Sequence, residues 1–244
     1  MSARLATISL LTIIALCGCD RSSQASASPA PLPRVLPGNG VIRGEVKFAG
    51  TPPLMKTFSS PEACCQSDSP LVDESVIVNS NHTLRNVLVY LENAPATDGS
   101  QQPAALLDQV HCHYLPHVIG MQVGQTLAIR SSDPTMHNVH FICDKNPVRN
   151  LAMVQAGQEI PVKFDYAEIV KMKCDVHPWM SAWVGVFDNP FFAVTRDDGS
   201  FEIKNIPAGT YKLVAQHELY GRQEQTISVA DDKPADVQFV FGKS

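Results

Sequence analysis

From Val41 onward, apolar and polar residues alternate in short runs broken by turn formers, the period-two pattern of half-buried β-strands. VIRGEVKF over residues 41–48 is one such run, stopped by Gly50-Thr51-Pro52-Pro53. Val76-Ile77-Val78 is expected to meet residues 84–91 across the turn Asn79-Ser80-Asn81. Ile160, Val162 and Phe164 alternate with polar neighbours. Near the C-terminus, TRDDGSFEIKNIPAGTYKLVAQ (195–216) predicts two strands bounded by Asp-Gly and Pro-Ala-Gly-Thr turns. A long 3.6-residue period with caps is nowhere in the sequence, and a helical turn or two is expected only over 152–159. The predicted class is all-β, built from sandwiches. Residues 109–188 hold most of the histidines, whereas 41–93 and 191–241 are plain strand-and-turn sequence. That contrast predicts either consecutive domains or one flanking domain interrupted by an insert.

The N-terminal stretch changes the picture of where such a chain works. MSARLATISLLTIIALCGCD has one early positive charge, an apolar run over 5–16 and then small residues. It reads as a secretory leader over residues 1–18, too short to be a stable membrane span. Its end resembles a bacterial lipoprotein processing site, which implies cleavage after Gly18 and lipid on Cys19. The Ser-, Ala- and Pro-rich residues 19–39 read as a tether. Together these predict a protein held at a membrane on the periplasmic, oxidising side of a cell envelope. The net charge of −5 excludes a general nucleic-acid binder, which would show a basic surplus.

The candidate chemistry lies in KCDVHPWM (173–180), where Cys174, His177 and Met180 fall at every third position. A thiolate, an imidazole and a thioether make a soft donor set, suited above all to copper. A loop between two strands brings all three toward one point, and a further histidine must come from elsewhere. DPTMHNVHF (133–141) supplies His137 and His140. Residues three apart in a strand face opposite sides, so only one of them points inward. Structural zinc is the competing reading of a Cys-x2-His pair, but zinc gains little from a thioether. Met180 also has a plain reading as a core residue.

GQTLAIRSSDPTMHNVHF, followed by KCDVHPWM and a last strand, resembles the cupredoxins, the blue copper proteins. The short Cys-x2-His-x2-Met spacing is most similar to the amicyanin variant. The resemblance implies one type 1 copper held by His137, Cys174 and His177, with Met180 as the weak axial ligand. It implies that Asn138 steadies the site, its backbone N–H reaching the Cys174 sulfur. It also implies that the outer edge of His177 is the electron port, with Pro178 and Trp179 forming an apolar rim for a partner. HCHYLPHVIGMQVGQ (111–125) resembles the first strands of the same domain. Ser131-Ser132-Asp133 departs from the family, which often has Asn first, so support around His137 is expected to differ. His111, His113 and His117 read as surface or core histidines, with His111 and His113 on one strand face, and His82 and His217 carry no signal.

The late segment TRDDGSFEIKNIPAGTYKLVAQHELYG resembles the transthyretin-like, carboxypeptidase regulatory-type sandwich through Thr195, Gly199, Phe201, Pro207, Gly209 and Tyr211. That family's usual opening strands are present at the other end of the chain. The resemblance implies a transthyretin-like sandwich from 40–93 plus 189–242, with a Greek-key cupredoxin domain, 103–188, inserted in it or adjacent to it. Four cysteines, Cys64, Cys65, Cys112 and Cys143, remain for disulfides. A bond between Cys64 and Cys65 is strained. Cys112 bonded to either of them would staple insert to flank, and a single Cys112–Cys143 bond is also open. The expected function is single-electron transfer between envelope redox partners rather than enzyme catalysis, because a three-plus-one site leaves no position for substrate. The alternatives are a copper-delivery module and a structural β protein with a vestigial site. The sequence does not indicate an oligomeric state.

Overall fold

The computed structural model describes residues 37–66 and 70–242. The leader (1–18), Cys19 and most of the tether lie outside them. Among the described residues are eighteen strands and a single 3-10 turn, Ala63–Cys65. β1 (Gly40–Ala49), β2 (Thr57–Phe58), β3 (Leu71–Val72) and β4 (Leu88–Leu91) come first. There follow β5 (Ala105–Val110), β6 (His113–Leu115), β7 (Val118–Gln122), β8 (Thr126–Ser131) and β9 (His137–Ile142). Next are β10 (Asn150–Met153), β11 (Glu159–Lys163), β12 (Glu168–Lys173) and β13 (Ser181–Phe187). The chain closes with β14 (Phe192–Val194), β15 (Ser200–Ile206), β16 (Gly209–His217), β17 (Gly221–Val229) and β18 (Ala235–Gly242).

The middle strands make two sheets, ordered β10-β9-β12-β13-β7 and β11-β8-β5-β6. β5 runs parallel to β8 and β7 parallel to β13, while their other neighbours are antiparallel. The chain therefore passes between layers in Greek-key fashion rather than meandering within one. Leu107, Leu127, Ile129, Val139, Phe141, Val170, Met172 and Val184 fill the space between the sheets, none of them exposed. The flanking strands make two further sheets, β15-β1-β18 and β14-β4-β16-β17, around a separate core that includes Ile42, Val46, Phe201, Leu213 and Phe239.

Two glycines let the flanking strands lie close on the middle ones. Gly120 on β7 and Gly185 on β13 are direct partners in the parallel ladder. A Cβ on Gly120 would stand 2.6 Å from the Phe192 ring, and one on Gly185 would stand 2.6 Å from Phe187 and 3.0 Å from Leu88. The flat patch they leave is covered by Leu88, Val118 and Phe187, with Tyr90, Trp183 and Phe192 around them. This explains why β13 stops alternating after Trp183 and is buried on every residue over 184–187.

Some local expectations differ from the outcome. Residues 76–78 form no strand and keep only the isolated bridge Val78↔Leu84. The helical turn expected within 152–159 is absent. Ala152 and Met153 belong to β10 instead, and Met153 pairs with His137. Met153 is fully buried, so packing on β9 overrides the weak local preference. His111 is not on a strand: with Cys112 it forms the turn between β5 and β6, both at positive φ (50° and 57°).

His217 yields a stability prediction. Its ring lies in the flanking core against Tyr220 and Phe241, and Nδ1 accepts the backbone N–H groups of Leu219 and Tyr220. Burial lowers its pKa from the usual 6.5 to about 4. Between those values the unfolded chain binds a proton that the folded chain does not. This contribution is thus intact above pH 6.5, declines as the pH falls and is lost below about 4, a total of about 3 kcal/mol. Urea unfolding at several pH values should show a slope over this window that is absent in His217→Asn.

Candidate metal centre

β12 and β13 are antiparallel neighbours, with Lys173 paired to Ser181. Residues 174–180 are therefore the loop of a hairpin. The Cys174 N–H donates to the Met180 carbonyl (3.1 Å), the Met180 N–H to the His177 carbonyl (2.9 Å) and the His177 N–H to the Cys174 sulfur (3.3 Å). This internal bonding turns both Cys174 and His177 inward, and they are 2 % exposed. β9 pairs with β12 on its other side, Lys173 opposite His140, so the antiparallel run places the start of β9 beside the loop. His137, Val139 and Phe141 face the core, whereas His140 faces outward onto Asp175.

His137, Cys174 and His177 thus converge, each offering a ligand atom within 4.8 Å of the others. The two Nδ1 atoms are 2.9 Å apart, and the Cys174 sulfur is 3.9 Å from His177 Nδ1. On the far side of each ring, Nε2 reaches a carboxylate: His137 to Asp133 (2.9 Å) and His177 to Glu62 (3.0 Å). Donation from Nε2 to the carboxylate leaves each Nδ1 turned inward, where it can hold either a proton or a metal ion. Two bare lone pairs facing each other in a buried space repel unless a cation or proton lies between them. The residues present therefore fit a metal ion with two imidazole nitrogens and a thiolate. Met180 is buried in the same core cluster.

The electrostatics point the same way. Burial works against a charged His137, but its bonds to Asp133 and Cys174 prevail and raise its pKa to about 9. Burial likewise opposes a Cys174 thiolate, yet the His137 bond and the N–H groups of Asn138, His177 and Val176 bring its pKa down to about 7. Asn138 ties the two elements together. Its Oδ1 accepts the Asp175 N–H (2.7 Å) and the Cys174 thiol (3.4 Å), and its Nδ2 donates to Asn150 and Asp175.

The edge of His177 departs from expectation. It does not face solvent. A strap formed by residues 57–66 and 70–72 crosses over it, contributing Glu62 to Nε2 and Phe58, which stacks on Trp179 with ring centroids 5.8 Å apart. Glu62 is anchored by the Thr135 hydroxyl (2.5 Å), and Trp179 donates to the Cys112 carbonyl (3.1 Å). Trp179 is consequently half-buried, while Pro178 remains exposed. The strap's Cys65 and Leu71 are buried in the core of the middle sandwich. Cys65 is disulfide-bonded to Cys112; Cys64 and Cys143 are free thiols, which overturns the Cys112–Cys143 alternative.

Asp133 and Glu62 were missed as site residues. Asp133 accepts the N–H groups of His111 (2.7 Å) and Cys112 (2.8 Å) as well as His137, so it joins the strained, disulfide-bearing turn to a ligand ring. The departure at Ser131-Ser132-Asp133 was the available signal. Glu62, 115 residues from His177, had none. His117 is buried and bonded to Glu218, and His113 bonds to the His111 carbonyl, so neither joins a metal cluster.

No family model matches the chain, and no curated protein does. Among solved structures it is similar to a copper-containing nitrite reductase from Thermus scotoductus SA-01, at 17% identity and TM-score 0.33, covering 40% of this chain and 25% of that one. A purple cupredoxin from Nitrosopumilus maritimus is similar at 22% identity and TM-score 0.30, covering 34% and 98%. A reduced amicyanin variant is similar at 20% identity and TM-score 0.33, covering 40% and 97%. The chain spans about a quarter of the nitrite reductase. By its own strand order, the chain is an all-β protein whose middle strands form a two-layered Greek-key sandwich.

Proposed function

We propose that the chain is a type 1 copper protein that passes single electrons between redox partners of a cell envelope, tethered to the membrane through lipid on Cys19. The observation that carries this reading is the convergence of two inward-facing Nδ1 atoms and a low-pKa thiolate at one buried point. His137, Cys174 and His177 would hold the ion, with Met180 as the weak fourth ligand. Bound there, copper would supply a one-electron change. Asp133 and Glu62 fix the planes of the two rings, and the β9–β12–β13 frame keeps the donors in place in either charge state. Burial of all three donors disfavours copper delivery, which needs ligands a partner can reach. With His177 covered, partner contact falls to the exposed neighbours Met136, Val176 and Pro178. The flanking sandwich, read as transthyretin-like, serves as scaffold and strap carrier.

The test is the visible spectrum of the Cu(II)-loaded chain beside Cys174→Ser. An intense thiolate-to-copper absorption is expected in the first and complete loss of it in the second. A colourless protein that binds copper equally well in both forms would sink the reading.

A further inference from the structure

Cys64 is a free thiol lying against a disulfide. Its sulfur is 3.9 Å from Cys65 Sγ and 3.9 Å from Cys112 Sγ. All three sulfurs lie within 4.8 Å of one another. The same disulfide adjoins the metal centre on both sides: Cys65 Sγ is within 4.8 Å of a His177 ring nitrogen and Cys112 Sγ within 4.8 Å of a His137 ring nitrogen. Glu62, three residues before Cys65, bonds His177 Nε2.

We propose that Cys64, Cys65 and Cys112 form a thiol–disulfide exchange centre in which Cys112 bonds to either neighbour, and that the exchange shifts the strap over His177. In the step, the Cys64 thiolate attacks Cys112 Sγ. The Cys64–Cys112 bond forms, the Cys65–Cys112 bond breaks, and Cys65 leaves as a thiolate that takes the proton Cys64 gave up. No oxidant or reductant is consumed, because one disulfide and one thiol stand on each side. The sulfur now lies broadside to the bond, equidistant from its two ends. In-line attack needs rotation about the Cys64 Cα–Cβ bond, and Cys64 is only half-buried, so the rotation has room. Moving the link by one residue displaces the strap by up to one Cα–Cα step, about 3.8 Å. That exceeds what the 3.0 Å bond between Glu62 and His177 tolerates. The covalent step does not depend on the copper reading.

The experiment is disulfide mapping by tandem mass spectrometry on the non-reduced chain. Cys65→Ser is expected to contain an intramolecular Cys64–Cys112 bond, and Cys64→Ser to keep Cys65–Cys112. Free Cys64 and Cys112 in folded Cys65→Ser would overturn the proposal. Should that variant not fold, timed alkylation of the unreduced natural chain decides. Of the three clustered sulfurs, label on Cys65 as well as Cys64 supports exchange, and label on Cys64 with none on Cys65 at any time overturns it. Movement of the strap is read separately, from the ring nitrogen resonances of His177 in the two metal-free variants. Different positions are expected, and identical ones would remove the link to the site.

Discussion

Asp133→Ala should cost about 3–5 kcal/mol of stability and lower metal affinity roughly 10- to 100-fold. Both follow from the number of groups one carboxylate serves. Asp133 is 3 % exposed and accepts from His111 N–H, Cys112 N–H and His137 Nε2. Truncation leaves those donors buried without an acceptor. The turn at His111 and Cys112, with φ of 50° and 57°, then loses the bonds that hold it in a left-handed conformation. Without its Nε2 partner the His137 ring can rotate or change tautomer, and its lone pair no longer points at the site. Asp133→Asn keeps an acceptor oxygen, so it should recover most of the stability but less of the affinity. Urea unfolding and competition against a chelator of known affinity separate the two effects. An alanine variant with wild-type stability would show that the carboxylate is not what holds the turn.

Cys112→Ser should destabilise the chain by about 4 kcal/mol, the chain-entropy value for a cross-link spanning 47 residues. The larger consequence is local. The strap has only two short paired strands, β2 and β3, and its exposed positions include Thr57, Ser59 and Pro61. Without the cross-link it is held by Glu62, by the Phe58–Trp179 stack and by the burial of Leu71. Hydrogen exchange over residues 57–66 should therefore rise far more than exchange in β9, β12 and β13. His177 Nε2 should become open to imidazole-modifying reagents in the metal-free chain. Uniform loosening of the whole molecule would instead mean that the strap is integral to the core.

The readable part of the site is its local part. Cys174, His177 and Met180 are spaced for one short hairpin loop, and the apolar run of 168–173 and 181–187 on either side announces the strands that make the loop. Alternation likewise announces β1, β15 and β16, where inward residues such as Ile42, Val46, Phe201 and Ile203 recur at every second position. It fails at β10, where four residues are too few to show a period, and at 76–78, where the apolar run is real but Leu84 is its only ladder partner.

The strap shows the other limit. Residues 57–66 belong by chain order to the flanking strands, yet their disulfide, their carboxylate and their aromatic ring all act on the middle sandwich. Polar, proline-bearing sequence of this kind reads as a loop wherever it lies. The partner of Cys112 was equally illegible. Cys64, Cys65 and Cys143 are chemically alike, and only the path of the chain brings Cys65 to bonding distance.

By itself, then, the sequence determined the all-β class and the donor types offered by the 174–180 loop, because strand alternation and hairpin spacing are set by neighbours a few residues apart. The tertiary structure decided that His137 rather than His140 faces the loop. It also decided that Asp133 and Glu62 back the two rings, that Cys65 takes Cys112, and that the edge of His177 is covered. Each of these is a contact between segments that meet only when the sheets pack, and burial and hydrogen-bond geometry act on positions in space rather than on positions along the chain.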